Sequence, residues 1–335
     1  MLFKAAGNLI VGMNDLSEYK PQELSNIIWA YATAGESHPQ LFSKLGNHIV
    51  AIKNLSVFKP QELSNIIWAY ATADESHPQI YKKLGNHIVS MDNLSGFMPQ
   101  SLSNIIWSFS TAGESHPKLF SKLGNHIVAM DDLNRFDPQA LSNIIWAYAT
   151  AGKAHPKLFS KFGDHIVTMR DLNAFLPQHL SNIVWAYATA GESHPLLFQK
   201  LAHAVIARPN GFTSQGIANL LWAYATVGII EKHLFTSFAP AVKSVLGQCN
   251  NQALANIAWA YAVANVNDPS LFNTDFMNAL QAKENDFGTE GYFQLYQWQL
   301  WQDELKSGIN LPPALRKKVS PSIYLPIASI VKIAI

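Results

Sequence analysis

The 335-residue sequence is poor in charge and in cysteine, and both shortages narrow the classes of protein that it encodes. Charged residues make up 14% of the chain, against roughly 25% in an average soluble domain. The 24 Lys and Arg balance 23 Asp and Glu, which excludes the uniform basic field of a histone-like nucleic-acid binder. A single cysteine, Cys249, excludes an internal disulfide framework and a zinc module built on several cysteines. Because 48% of the residues are hydrophobic, a disordered chain is excluded too.

Long apolar segments and catalytic signatures are also missing. No run of about 20 uncharged apolar residues occurs, so we expect no contact with a membrane. The stretch 323–335 is apolar but short, and Lys332 interrupts it. The sequence has no Gly-rich phosphate-binding loop, no HExxH motif and no kinase signature set. We therefore expect no enzyme activity, no cofactor, no metal and no small-molecule substrate.

What the sequence has instead is a repeat marked by tryptophan. Around each copy lies a variant of the phrase PQELSNIIWAYATAG. Self-similarity at a period of 20–50 residues is typical of solenoids, propellers and arrays. The spacings are 39, 39, 39, 39, 37 and 37 residues, between Trp29, Trp68, Trp107, Trp146, Trp185, Trp222 and Trp259.

Each unit predicts two helices. In the first full unit, Pro21 suits a first helical turn, and apolar residues in 24–31 recur at the spacing of one helical face. Gly35 is expected to end this helix A. The tripeptide 37–39, Ser-His-Pro, is expected to begin helix B with a capping residue. Gly46 lies in the middle of helix B, where glycine is unfavourable, and its recurrence predicts close approach of another helix.

Stacked copies bury the apolar faces that a single hairpin leaves exposed. The sequence therefore predicts an all-α fold, a right-handed α-solenoid of stacked helical hairpins with a 37–39-residue period. We divide the chain into a half repeat (1–20), a helical array (21–285), a degenerate repeat (286–319) and an atypical tail (320–335). The tail indicates a truncated chain, and no targeting segment is visible.

The repeated phrase resembles known RNA-binding repeats. PQ-x-LSNIIWAYATAG is similar to helix A of the octotricopeptide repeats and to the leucine-rich region of FAST-kinase-like proteins. The array is also similar to repeat proteins of the RNA-editing substrate-binding complex. Residues 293–319 look like the lead-in to the RAP module that often follows such repeats. The resemblance covers roughly residues 1–319.

The resemblance implies passive binding of single-stranded RNA in an organelle, supporting RNA processing, mRNA stability or translation. Mitochondria are the expected location, with chloroplasts as the alternative, and other RNA-processing proteins are expected partners. Two further interpretations stay open. The solenoid is a scaffold that binds proteins, or it is an inactive, truncated duplicate.

Two positions of the repeat hold the same residue in every copy, and we call each such set of equivalent residues a column. Both columns have a structural and a functional interpretation. The tryptophans favour an inter-repeat core over a platform for base stacking, because each lies among apolar neighbours on helix A. The asparagines three residues earlier favour an amide hydrogen-bond ladder between helices over contact with RNA. They are Asn26, Asn65, Asn104, Asn143, Asn182, Asn219 and Asn256.

Two columns on helix B predict a semi-basic stripe that contacts phosphates, with a solvated helix face as the alternative. The lysines are Lys44, Lys83, Lys122, Lys161 and Lys200, and the histidines four residues later are His48, His87, His126 and His165.

The variable positions at the start of helix A are candidates for base reading, with neutral drift as the alternative. Helical RNA-reading repeats recognise about one base each through two or three side chains. The first column is Lys20, Lys59, Met98, Asp137 and Leu176, and the second is Glu23, Glu62, Ser101, Ala140 and His179.

The histidines of the Ser-His-Pro phrase are interpreted as helix caps, since five identical catalytic sites are implausible. Equivalent histidines in stacked repeats lie about 10 Å apart, too far to share a metal ion. They are His38, His77, His116, His155 and His194.

Overall fold

The computed structural model describes residues 2–153 and 155–319, and this part of the chain contains helices and loops but no strand. The chain divides into two compact units, residues 1–165 and 166–335. In each unit, helices A and B of successive repeats alternate and pack in consecutive pairs. The all-α solenoid of helical hairpins is confirmed. The atypical tail, 320–335, lies outside the described residues.

The helix bounds follow the predicted units closely. The A helices are α2 (Pro21–Ala34), α4 (Pro60–Thr72), α6 (Pro99–Thr111), α8 (Pro138–Thr150), α10 (Pro177–Ala190), α12 (Ser214–Thr226), α14 (Asn251–Val263) and α16 (Thr289–Glu304). The B helices are α1 (Leu2–Gly12), α3 (Pro39–Ala51), α5 (Pro78–Ser90), α7 (Pro117–Ala129), α9 (Pro156–Thr168), α11 (Pro195–Ile206), α13 (Lys232–Val245), α15 (Thr274–Ala282) and α17 (Pro313–Lys318). Two 3₁₀ turns lie at Leu55–Val57 and Leu246–Gln248.

Local sequence sets the ends of the A helices. Proline occupies the first helical position of α2, where its missing N–H leaves no partner unsatisfied. Gly35 ends the helix in the left-handed conformation, at φ 65°, as predicted. In the second repeat Asp74 takes that conformation, at φ 53°, which is unusual for a residue with a side chain.

The A helices form the more closely packed layer. Within each unit, consecutive A helices pack against each other along more of their length than consecutive B helices do. Leu63, Ile66 and Ile67 of α4 are fully buried between neighbouring helices. None of the helices described is both long and apolar enough to cross a bilayer.

Candidate nucleic-acid interface

One stripe of each A helix stays accessible on the surface of the A layer. In α4 it consists of Gln61, Asn65, Trp68 and Thr72, which follow one another by four, three and four residues. This spacing keeps all four side chains on one helical face. The same four residue types recur in every repeat except the last, where Val263 replaces threonine. We call this set the amide–tryptophan row; it contains no charged residue.

The tryptophans belong to this row and not to a fully buried core, so their assignment to the core is wrong in that respect. Trp29 is 44% exposed. The aromatic residue that fills the core is the tyrosine two positions later, such as Tyr70 with 1% exposure. Two residues separate side chains by roughly 200° on a helix, so only one of the pair faces the core. The half-buried tryptophans are Trp68, Trp107, Trp146, Trp185, Trp222 and Trp259.

The predicted amide ladder forms only at the last repeat. There the Gln294 amide donates to Oδ1 of Asn256 over 2.9 Å, and the Trp259 indole donates to Oε1 of Gln297 over 2.6 Å. Within the described residues, no hydrogen bond involves the side-chain amides of Asn26, Asn65, Asn104, Asn143, Asn182 or Asn219. Glutamine is one methylene longer than asparagine. The ladder closes where glutamine faces asparagine and stays open where two asparagines face each other.

Four of the five repeated lysines bind the C-terminal end of the preceding B helix. Lys122 Nζ donates to the carbonyl of Val89 over 2.7 Å and also to that of Met91, at the C-terminus of the preceding B helix. These carbonyls have no partner within their own helix, and a cation is favoured at that end. Lys44, Lys161 and Lys200 make the equivalent pair of bonds. For these four lysines, a column dedicated to phosphate contact is therefore wrong; for Lys83 the structure gives no such bond.

The histidine column four residues later is unsuited to phosphate contact. Nε2 of His87 and of His126 is buried without a hydrogen-bond partner in the part of the chain described. Burial lowers the pKa of both rings, and Lys83 lowers the pKa of His87 further. Burial also lowers the pKa of His165, against an opposing effect of Asp132. These three histidines therefore favour the neutral state, and the prediction of a basic stripe is wrong for them. His48 occupies the same half-buried position in α3.

Three residues of the second candidate base-reading column cap the start of helix A. Glu23 and Glu62 each accept a hydrogen bond over 2.8 Å from the backbone N–H three residues earlier, and Nδ1 of His179 accepts one over 3.3 Å. Glu62, Ser101 and Ala140 are also buried, so base reading is wrong for these three.

In the first candidate base-reading column the residues are the N-caps themselves. Asp137 caps α8 through its side chain, over 2.7 Å to the Ala140 N–H. All members of the column are exposed, and they are Lys20, Lys59, Met98, Asp137 and Leu176.

The Ser-His-Pro histidines cap helix B, as predicted, and they also explain the recurrent glycine. Nδ1 of His116 accepts from the Leu119 N–H over 3.2 Å, while Nε2 lies 3.2 Å from Oδ1 of Asn86. The ring lies so close to Gly85 of the preceding B helix that a Cβ there would be 2.7 Å from it. The predicted close approach is confirmed, but it is a histidine ring rather than a helix backbone that needs the space. His38, His155 and His194 form the same cap, and in His77 the Nδ1 has no partner among the described residues.

The amide–tryptophan row is a surface whose side chains can bind a ligand. Indole rings stack on planar groups, and side-chain amides both donate and accept hydrogen bonds. The sequence interpretation assigned asparagine to an amide ladder and its tryptophan to the core. The spacing of four, three and four residues was the signal that joins them. Among the described residues, no three His, Cys, Asp or Glu side chains gather as a metal site requires.

Comparisons with known proteins identify the family. No curated protein matches the chain. Among solved structures, the chain is similar to a homology model of the full-length AP-3 complex in an intermediate open conformation, with 12% identity and a TM-score of 0.32. The match covers 89% of this chain and 50% of that chain, so this chain spans about half of it, and similarity at this level supports no functional argument. The family model of the RNA-editing substrate-binding complex 6 protein matches residues 19–285. The chain therefore belongs to the RNA-editing substrate-binding complex 6 protein family.

Proposed function

We propose that the chain binds single-stranded RNA along the amide–tryptophan row of its A helices and contributes to RNA editing or processing in mitochondria. The binding is passive: the protein holds or presents RNA and catalyses no reaction. Family membership supports the link to RNA editing. The observation that carries the proposal is the row itself, an accessible set of indoles and amides that recurs once in each repeat.

The chemistry of the row suits bases more than phosphates. Aromatic side chains stack on every base and contribute about 1–3 kcal/mol per stacked base. The row has no charge, and four of the five repeated lysines already bind helix carbonyls. Each phosphate contact lowers log K by roughly 0.7 per unit of log salt concentration for single strands. We therefore expect affinity to fall only weakly as salt rises.

The test is fluorescence anisotropy of the full chain with a labelled, randomised single-stranded RNA pool at two salt concentrations. Trp68→Ala/Trp107→Ala should weaken binding by about 1–3 kcal/mol for each base that loses its stacking partner. The matched control is Lys118→Ala/Lys157→Ala, which removes two exposed lysines of the B layer. Absence of binding at low salt, or an equal loss in the control, would contradict the proposal.

One other ligand class is favoured by the same observation. Identical uncharged amides at a fixed period match a polymer whose backbone repeats, and an extended peptide offers C=O and N–H groups in this way. The chain would then be a scaffold for other proteins of an RNA-editing assembly. Binding of unstructured peptides without binding of RNA would favour this function. The finer resemblance to octotricopeptide and RAP-associated proteins remains a prediction, and the chloroplast alternative has no support from the family.

A further inference from the structure

We infer that the accessible surface of the B helices α5, α7 and α9 is a docking surface for an acidic segment of a partner protein. It lies on different helices from the amide–tryptophan row, so its partner is not the ligand of that row. We call this surface the lysine face, and all its residues belong to the first compact unit, 1–165. It consists of Lys82, Lys83, Lys118, Lys122, Lys157 and Lys161.

Charge is divided unequally between the A and B helices of this unit. Helices α5, α7 and α9 hold six lysines and a single carboxylate, that of Asp164. The A helices that alternate with them, α4, α6 and α8, hold no lysine or arginine and one carboxylate, that of Glu62. A chain whose net charge is only +1 therefore has a local cationic surface. Such a surface attracts an anionic partner and speeds its association.

Four of the six ammonium groups are available to a partner. They make no hydrogen bond and no ion pair in the part of the chain that the structure describes, and they are those of Lys82, Lys83, Lys118 and Lys157. Three of these side chains are exposed, and that of Lys83 is half-buried. Lys122 and Lys161 bind helix carbonyls, which are uncharged and leave the positive charge of each lysine in place.

The lysines are spaced so that one segment reaches several of them. Lys118 and Lys122 lie one turn apart on α7, with about 5–6 Å between Cβ atoms, and α9 repeats this spacing. Packed neighbouring helices lie about 8–10 Å apart. A shallow groove between α5 and α7 is also lined by Ser121 and Asn125, whose hydroxyl and amide can bond to a peptide backbone. Carboxylates a few residues apart on one segment therefore meet more than one ammonium group.

The lysine face lacks the groups that favour single-stranded RNA. Proteins that bind single strands combine basic grooves with aromatic side chains on which the bases stack. The phenylalanine and tyrosine rings of α5, α7 and α9 are all buried, and they are Tyr81, Phe120, Phe159 and Phe162. These three helices also contain no arginine, the residue that binds phosphate through two parallel hydrogen bonds. Charge complementarity on this surface therefore favours the carboxylates of a protein over RNA.

The nearly identical repeats show that the fold does not need these charges. Helices α3 and α7 have the same 13 residues except at one position, where α3 has Gln40 and α7 has Lys118. At the position of Lys82, helices α3, α7 and α9 have serine. Glutamine and serine are therefore compatible with B-layer packing at these positions, and they provide substitutions that remove charge without disturbing the helices.

The experiment measures the binding of a labelled twelve-residue polyglutamate peptide to the full chain by fluorescence anisotropy at low and physiological salt. The variant Lys82→Ser/Lys118→Gln/Lys157→Gln introduces residues that other repeats have at these positions. We expect the affinity for the peptide to fall about tenfold, since each exposed ion pair contributes up to roughly fivefold. Affinity of the unaltered chain should fall as salt rises, because salt screens exposed charges.

The control removes the same charge from elsewhere in the unit. Lys20→Gln/Lys53→Gln/Lys59→Gln replaces three exposed lysines outside the lysine face and should change peptide affinity less than twofold. Equal losses in the two variants would show attraction to net charge alone and would overturn the inference. Absence of peptide binding to the unaltered chain at low salt would overturn it too.

RNA binding separates this inference from the proposed function. The lysine-face variant should bind the randomised RNA pool as the unaltered chain does. A loss of RNA affinity in this variant would assign the face to phosphates and overturn the inference. Peptide binding that depends on the lysine face, in a chain that binds no RNA, would support the inference and contradict only the proposed function.

Discussion

The repeats before residue 200 and those after it hold their B helices in different ways. In the earlier repeats a mid-helix glycine lies against the histidine that caps helix B of the next repeat, as Gly85 lies against His116. After Lys200, the glycine position holds Ala202 and then Ala239, and the histidine position that follows each holds Glu231 and Asp268. Glycine and histidine are lost together, because a Cβ and an imidazole cannot occupy the same space.

The repeated lysine is lost in the same region. The equivalent positions hold Ser237 and Thr274. Asparagine and tryptophan, in contrast, persist through Asn256 and Trp259. The glycine, histidine and lysine columns therefore serve B-layer packing as a set, whereas the asparagine–tryptophan pair does not depend on that packing.

The largest expected effect comes from breaking the glycine–histidine pair. Gly85→Ala places a Cβ 2.7 Å from the His116 ring. Overpacking costs about 1–3 kcal/mol, and the higher helix propensity of alanine offsets roughly 1 kcal/mol. We expect a net loss in the free energy of unfolding, measured by urea denaturation. Adding His116→Asp, the combination found at Ala239 and Asp268, should recover part of it; no recovery would contradict the steric explanation.

The lysine cap should have the next largest effect. Lys122→Met removes two charge-assisted hydrogen bonds to helix carbonyls. Because the side chain is partly exposed, we expect a loss of about 1 kcal/mol in unfolding free energy, less than the roughly 1.5–3 kcal/mol usual for a hydrogen bond to a charged group. Lys118→Met, at an exposed position one turn earlier, is the matched control and should change stability little. RNA affinity should stay the same in both variants; a loss confined to Lys122→Met would restore a phosphate-binding role.

Replacement of one buried tyrosine is expected to stabilise the fold, in contrast to the two substitutions above. In the third repeat the usual phenylalanine–tyrosine pair is exchanged, so Tyr81 of α5 faces Phe109 of α6. The Tyr81 hydroxyl is buried without a partner in the part of the chain that the structure describes, and burial raises its pKa. Tyr81→Phe should therefore raise the unfolding free energy by about 1 kcal/mol.

The control for this swap is a tyrosine whose hydroxyl is satisfied. Tyr148 donates to the carbonyl of Phe120 over 2.6 Å. Tyr148→Phe should lower the unfolding free energy by about 1 kcal/mol, the usual net value of one hydrogen bond. Equal effects of the two substitutions in urea denaturation would show that the hydroxyl of Tyr81 has a partner.

The smallest expected effect is a pH dependence of the earlier repeats. Burial holds the pKa of His126 below its ordinary value of 6.5. The unfolded chain then binds more protons than the folded chain as pH falls below about 6.5, so acidification destabilises the fold and the loss levels off below the folded pKa. His126→Gln should flatten the decline in unfolding free energy between pH 7.5 and pH 5.5. A decline as steep in the variant would assign it to other groups.

Local chemistry made much of the fold predictable. The helix bounds follow from the prolines, the Gly35 terminator and the apolar spacing of each unit, all of which act within a few residues. In the degenerate repeat, the first helix, α16, begins at Thr289. The capping role of His38 and its equivalents also followed from the phrase alone.

The candidate sites were less predictable, because each depended on contacts between repeats. Lys122 looks like a surface cation in sequence, and only the neighbouring helix end shows that its ammonium is already bound. Trp68 lies among apolar neighbours in the chain, and only the packing of the A layer shows that Tyr70 fills the core in its place.

The sequence by itself determined the period, the two-helix unit and the identity of the columns, because these depend on residues close together in one chain. The tertiary structure decided which columns are consumed by packing and which remain accessible. That division depends on side-chain length across the gap between helices: asparagine is too short to bridge it, glutamine bridges it, and only the stacked arrangement brings the two face to face.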